Sequence, residues 1–270
     1  MNRFRLFSIF VALAATALIA ALKNTQALKT GILELDGKVG MTGGQAASLG
    51  NVTFKGSGPF DVSDPDDPAL DLEMEFGVAG QTQKIGIIVV DGKYYIEFAG
   101  QAIELDAKDA GSITELTDSI GPSSLGKLSE NLDDNVTNVK KVGTAKVGDK
   151  TVVTYSAEID FSKVLESLSG EGGSGLLSGL SGQNAQQAKD AFKAKTVEFG
   201  IDEDGNVVRS VHLAADIASP TGGGEGAGSF DIAVRIIESD EAVDIKAPEN
   251  AIKGGGGQVG NLFGGMSGTN

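Results

Sequence analysis

Gln81–Asp106 reads QTQKIGIIVVDGKYYIEFAGQAIELD. Two turn signals cut it into three strands. Asp91-Gly92 is a two-residue hairpin loop, in which glycine supplies the positive φ that such a loop requires. Ala99-Gly100-Gln101 makes the second turn. Val89 and Val90 are placed to face Tyr94 and Tyr95, β-branched and aromatic residues that suit a pleated, half-buried surface. Period two then puts Tyr94, Ile96 and Phe98 on one face, toward a core. Lys93, Tyr95 and Glu97 fall on the other face, the expected wet side.

The same alternation extends in both directions. Gly31–Thr42 and Leu49–Phe60 read as strands, with the acidic turn Asp61–Pro68 after them. In Ala69–Val78, Leu70, Leu72, Met74 and Phe76 alternate with Asp71, Glu73 and Glu75, the pattern of a sheet with one solvated face. Downstream, Asn135–Val147 and Lys150–Ile159 form a hairpin turning at Gly148-Asp149. Thr196–Ile201 and Asn206–Ile217 form another, and Ser229–Ile237 is a further strand. Ala247-Pro248 is expected to end the fold.

Helical spacing interrupts this rhythm. Ser112-Ile113-Thr114-Glu115 is a capping box, and Gly121-Pro122 stops the short helix it opens. Ser124–Leu132 follows with Leu125, Leu128 and Leu132 on one stripe. Asp160 caps Phe161–Leu168, whose Phe161, Val164, Leu165 and Leu168 repeat at helical spacing. Asn184–Lys193 is expected to be a modest helix with Phe192 inward. Ten or eleven strands and three or four short helices, without a strand–helix–strand rhythm, make an α+β domain on a large antiparallel sheet.

The 270 residues carry a net charge of −15 and no cysteine. Disulfides, thiolate metal sites and cysteine nucleophiles are therefore excluded. Without Arg3 and Arg5 the rest holds 20 basic and 37 acidic residues, a net −17 that repels nucleic acid at long range. No nucleic-acid partner is expected.

Residues 1–27 read as a signal peptide or an N-terminal membrane anchor. Two arginines precede the uncharged run Leu6–Leu22, LFSIFVALAATALIAAL. Small residues suit cleavage after Ala17 (Ala15-Thr16-Ala17) or after Ala27 (Thr25-Gln26-Ala27). Residues 252–270 read as a Gly-rich disordered tail, and 28–251 as the domain.

Catalytic and metal patterns are weak. His212, the one histidine, sits on a strand beside Ser210 and Ala214, without the G-x-S-x-G context of a nucleophile. An exposed strand histidine is the plainer reading. Asp61, Asp64, Asp66, Asp67 and Asp71 lack the spacing of a calcium loop and read as a solvated turn. Gly170–Gly175 lacks the Lys-Ser/Thr of a phosphate loop. No metal, cofactor or catalytic residue is assigned.

Four segments carry a family resemblance: VVDGKYYIEFAGQAIELD (Val89–Asp106), YSAEIDFSKVLESL (Tyr155–Leu168), VEFGIDEDGNVVRSVHL (Val197–Leu213) and DIAVRIIESDEAVDIKAPENA (Asp231–Ala251). Together with the helical pair they resemble the LppX/LprAFG family of actinobacterial lipoproteins and, more distantly, the LolA-like lipoprotein carriers. The resemblance covers Leu28–Ala251. It implies a half-barrel, a curled antiparallel sheet with short helices over its concave face. It also implies an apolar cavity for lipid or lipoglycan acyl chains, and lipid carriage or presentation in the cell envelope. One residue departs from the pattern. Ile19-Ala20-Ala21 matches the residues before a lipobox cysteine, but Leu22 follows. A secreted chain, an uncleaved anchor and an altered form all remain open.

The expected cavity lining is Leu72, Met74, Phe76, Ile87, Val89, Tyr94, Ile96 and Phe98 from the sheet. Leu116, Leu128, Val164 and Leu165 come from the helices. Leu176, Leu177 and Leu180, on the Gly-rich stretch Ser169–Gly182, form an expected lid or membrane-touching lip. The protein is expected to be an exported monomer and not an enzyme, membrane-anchored or secreted. The alternative is an envelope interaction module with a filled core and no ligand.

Overall fold

A computed structural model describes residues 18, 20–25, 27–41, 51–64, 67–78, 80–106, 110, 136–159, 192–204, 207–217 and 228–254. The helices expected between 112 and 132, at 161–168 and at 184–191 lie outside the described residues.

Twelve strands form one sheet. They are β1 (Thr30–Met41), β2 (Asn51–Asp61), β3 (Ala69–Val78), β4 (Gln81–Val90), β5 (Lys93–Phe98), β6 (Gln101–Leu105), β7 (Val136–Val147), β8 (Lys150–Ile159), β9 (Phe192–Asp202), β10 (Val208–Ile217), β11 (Gly228–Ser239) and β12 (Ile252–Gly254). Their order is β12-β6-β5-β4-β3-β2-β1-β11-β10-β9-β8-β7. β1 to β6 and β7 to β11 are each a run of sequence neighbours, β1 with β11 joins the two runs, and β12 is added beside β6. Every pair is antiparallel except β12 with β6, so the sheet is mixed at that edge.

Turn chemistry sets the register. Asp91 and Gly92 have φ of 52° and 64°, and Ala99 and Gly100 have 51° and 80°. Two consecutive positive values are the mirror-image turn that matches strand twist. The second loop is therefore two residues long, and Gln101 already belongs to β6. Val89 opposes Tyr94 as expected, but Ile88 opposes Tyr95 while Val90 opposes Lys93.

The sheet curls. Gly148, in the β7–β8 turn, lies so close to β11 that a Cβ there would stand 2.5 Å from the Ile237 carbonyl oxygen. Three strands separate β7 from β11 in the order. Only a strongly bent sheet brings them together, and the result is an open half-barrel.

Three sequence expectations need correction. Phe192 and Lys193, expected to end a helix, start β9 instead, where Phe192 pairs with Ile217. Short apolar stretches of this kind fit both periods, and pairing with β10 decides for the strand. Residues 252–254, expected in the tail, add β12 beside β6, so the fold continues past Ala247-Pro248. Tyr95, expected to be wet, is buried with Ile88 and Val90, and Ile245 and Ala251 pack against them. Separately, residues 20–25 are helical, and Leu18, Ala21 and Leu22 join a buried cluster while Ala20, Lys23 and Asn24 are exposed.

The segment that buries Tyr95 and the helical residues each lie over the sheet. β11 and β12 stand seven positions apart, roughly 34 Å along a flat sheet. The connection 240–251 reaches about 40 Å when extended. It crosses the polar face as a strap and presses Ile245 onto the turn end of β4 and β5. The helical residues instead lie on the apolar face, against Val139, Ala157, Val197, Phe199 and Val208.

Candidate functional site

The eight sheet-borne candidates come together on one face. Leu72 opposes Ile87, which opposes Ile96. Leu70–Val89–Tyr94 and Met74–Ile85–Phe98 form the rows on either side. Leu72, Met74, Ile87, Val89 and Ile96 are buried in one cluster, and Phe76, Tyr94 and Phe98 are partly buried against it. Period-two alternation on neighbouring strands with matched register produces this grouping. Leu116, Leu128, Val164, Leu165, Leu176, Leu177 and Leu180 lie outside the described residues.

The apolar face continues beyond these strands. Leu35 pairs with Val234, Val234 with Val211, and Val211 with Phe199. Leu33, Leu35, Phe60, Ile103, Leu105 and Ile236 join the first cluster. Sequence reasoning left these out because it treated β3–β5 as the wall. Their own alternation was legible, but not the central pairing of β1 with β11.

Glycines thin the face at two points, and neighbours fill the space. A Cβ on Gly56 would meet Met74 Sδ at 2.3 Å, and one on Gly37 would meet the Phe54 ring at 2.2 Å. Met74 and Phe54 therefore lie over the backbone of the adjacent strand.

A separate cavity of about 890 Å³ has a charged lining. One cross-strand row supplies Glu34, Ser57, Glu73, Gly86 and Glu97, and the next supplies Asp36, Lys55, Glu75 and Lys84. Leu35, Met74 and Ile85, between the rows, are buried, whereas Lys55, Glu73, Glu75, Lys84 and Glu97 are exposed. The cavity thus opens on the polar face, away from the strap end. In the second row charges alternate from strand to strand, and Asp36 also pairs with Arg235. In the first row Glu73 and Glu97 flank Gly86 without an intervening cation. Burial, then Glu97, then Glu73 push the nearby Asp71 carboxyl above its ordinary value.

The remaining polar candidates have structural partners. His212 Nε2 stands 2.8 Å from Asp231 Oδ1, and Nδ1 stands 3.8 Å from Glu198 Oε2, all on exposed side chains. The ring bridges carboxylates of β9 and β11. In the acidic turn, Asp61 Oδ1 accepts from the Ser63 amide at 2.8 Å. Asp67 Oδ1 accepts from the Gly92 amide at 2.9 Å and ties that turn to the β4–β5 loop. Among the described residues, no helix is long and apolar enough to cross a membrane.

The architecture is an open half-barrel with one continuous apolar face and one mainly polar face. No family model and no curated protein matches the chain. Among solved structures it is similar to LprF from Mycobacterium bovis, with a TM-score of 0.48 and 14% identity, over 88% of this chain and 97% of that one. It is also similar to the Mycobacterium tuberculosis lipoprotein LppX, with a TM-score of 0.45 and 15% identity, over 87% of this chain and 99% of that one.

Proposed function

We propose that the protein is a non-enzymatic, exported cell-envelope protein that binds lipid acyl chains on the apolar face of its half-barrel, for carriage or presentation. The observation that carries this reading is the continuity of that face. It runs from Ile96 through Leu72 to Leu35 and Val234, and keeps Phe76, Tyr94 and Phe98 only partly buried at its margin. Acyl chains gain about 0.8 kcal/mol per methylene buried against such a surface. Leu116, Leu128, Val164 and Leu165 complete the wall in this reading, and Leu176, Leu177 and Leu180 form its lip. Titration with an environment-sensitive fluorescent acyl probe tests it. Saturable binding that Phe98→Ser and Tyr94→Ser each weaken about fivefold supports the site. An unchanged signal in both variants refutes it.

A second reading, an envelope interaction module with a filled core, is favoured by Met74 over Gly56 and Phe54 over Gly37. In that reading side chains already occupy the space that small residues leave. Absence of saturable probe binding in the unaltered protein selects it.

A further inference from the structure

The N-terminal segment contains two stretches suited to an export peptidase, ending at Ala17 within the apolar run and at Ala27 beyond it. The structure distinguishes them. Leu18, Ala21, Leu22 and Thr25 are each at most 1% exposed and lie on the apolar face of the β7–β10 half. They cover Phe199, Val197 and Val208, which are at most 2% exposed.

Thr25 adds a specific polar contact. Its Oγ1 accepts from the buried Val208 amide at 2.8 Å and donates to the Ala21 carbonyl at 2.7 Å. Val208 stands at a register shift at the start of β10. An amide there without this hydroxyl would be buried and unsatisfied. Leu28, just after the helical residues, packs into the other apolar cluster. Leu18, Ala21 and Leu22 thus pack into one apolar cluster and Leu28 into the other.

Cleavage after Ala27 would remove the helix, uncover Phe199 and orphan the Val208 amide. Cleavage after Ala17 removes none of these. The preceding residues also have the required order: Arg3 and Arg5, an apolar stretch from Leu6, then Ala15-Thr16-Ala17.

We infer that the Ala17–Leu18 peptide bond is the processing site and that the mature chain keeps Leu18, Ala21, Leu22 and Thr25 in its core. Water adds across that bond. The carboxylate stays on Ala17 with the leader, and the new amino group belongs to Leu18. Leu22, which stands where a lipobox cysteine would be, then serves as a core residue beneath the sheet.

The test is export of the full chain from a bacterial host, with N-terminal sequencing and intact mass of the folded product. The expected first residue is Leu18. A product starting at Leu28, or one still carrying Met1, overturns the assignment. Hydrogen exchange on Thr25→Val, a variant that keeps the shape, supplies a second readout. Exchange at the Val208 amide should quicken about tenfold, the size of one lost buried hydrogen bond. An unchanged rate means that the helical residues do not hold β10 and contradicts the inference.

Discussion

Arg209 Nε donates to Asp202 Oδ2 at 3.0 Å, with the two side chains 7% and 4% exposed. Arg209 Nη1 also donates to Ser239 Oγ at 2.8 Å, so one guanidinium ties β9, β10 and β11 together. Removing one partner of such a pair leaves a buried charge. Arg209→Ala should therefore cost about 3–5 kcal/mol in urea unfolding. The double variant Arg209→Met with Asp202→Leu should recover most of that loss, because hydrophobic replacement of a buried pair is close to neutral.

Gly148 should be the least replaceable of the turn glycines. Its φ is +58° and a Cβ would press on the Ile237 carbonyl, whereas Gly92, at +64°, has open space around it. Gly92→Ala should cost about 1 kcal/mol for the left-handed backbone alone. Gly148→Ala should cost measurably more in the same thermal melt, because it also forces β7 away from β11.

The strap makes a separate prediction. Ile245→Asp places a charge against Ile88, Val90 and Tyr95. It should destabilise the fold by about 2 kcal/mol and quicken amide exchange in β12 and β6 before β9 and β10. Uniform quickening across the sheet would show that the strap is not a local cover.

Asp71 predicts a pH effect. Its carboxyl is raised in the folded state, first by burial and then by Glu97 and Glu73. A raised carboxyl favours the fold when protonated, so its contribution is fully present below the ordinary value of 3.8 and is lost as pH rises through the folded value. Ionised Asp71 is thus unfavourable at neutral pH. Asp71→Asn should raise the melting temperature at pH 7, and the gain should disappear as the buffer is taken below about 3.8.

Strands with clean alternation were legible from sequence. Ala69–Val78 ends where expected, and the Asp91-Gly92 turn falls where its chemistry places it. The face holding Leu72, Ile87 and Ile96 followed from period two. What covers a face did not. Tyr95 alternates like a wet residue, but Ile245, far along the chain, buries it. For Leu18 and Leu22, composition reports hydrophobicity, not the Val197, Phe199 and Val208 side chains clustered with them. Both are contacts distant in sequence, which local periodicity does not encode.

The central claim is that acyl chains occupy the apolar face. The most direct measurement is organic-solvent extraction of protein purified from a lipid-containing envelope, followed by mass spectrometry of the extract. The account predicts acyl lipid at near one molecule per chain, falling severalfold in the Tyr94→Ser/Phe98→Ser double variant. A folded, lipid-free protein, or equal lipid in both proteins, would contradict it.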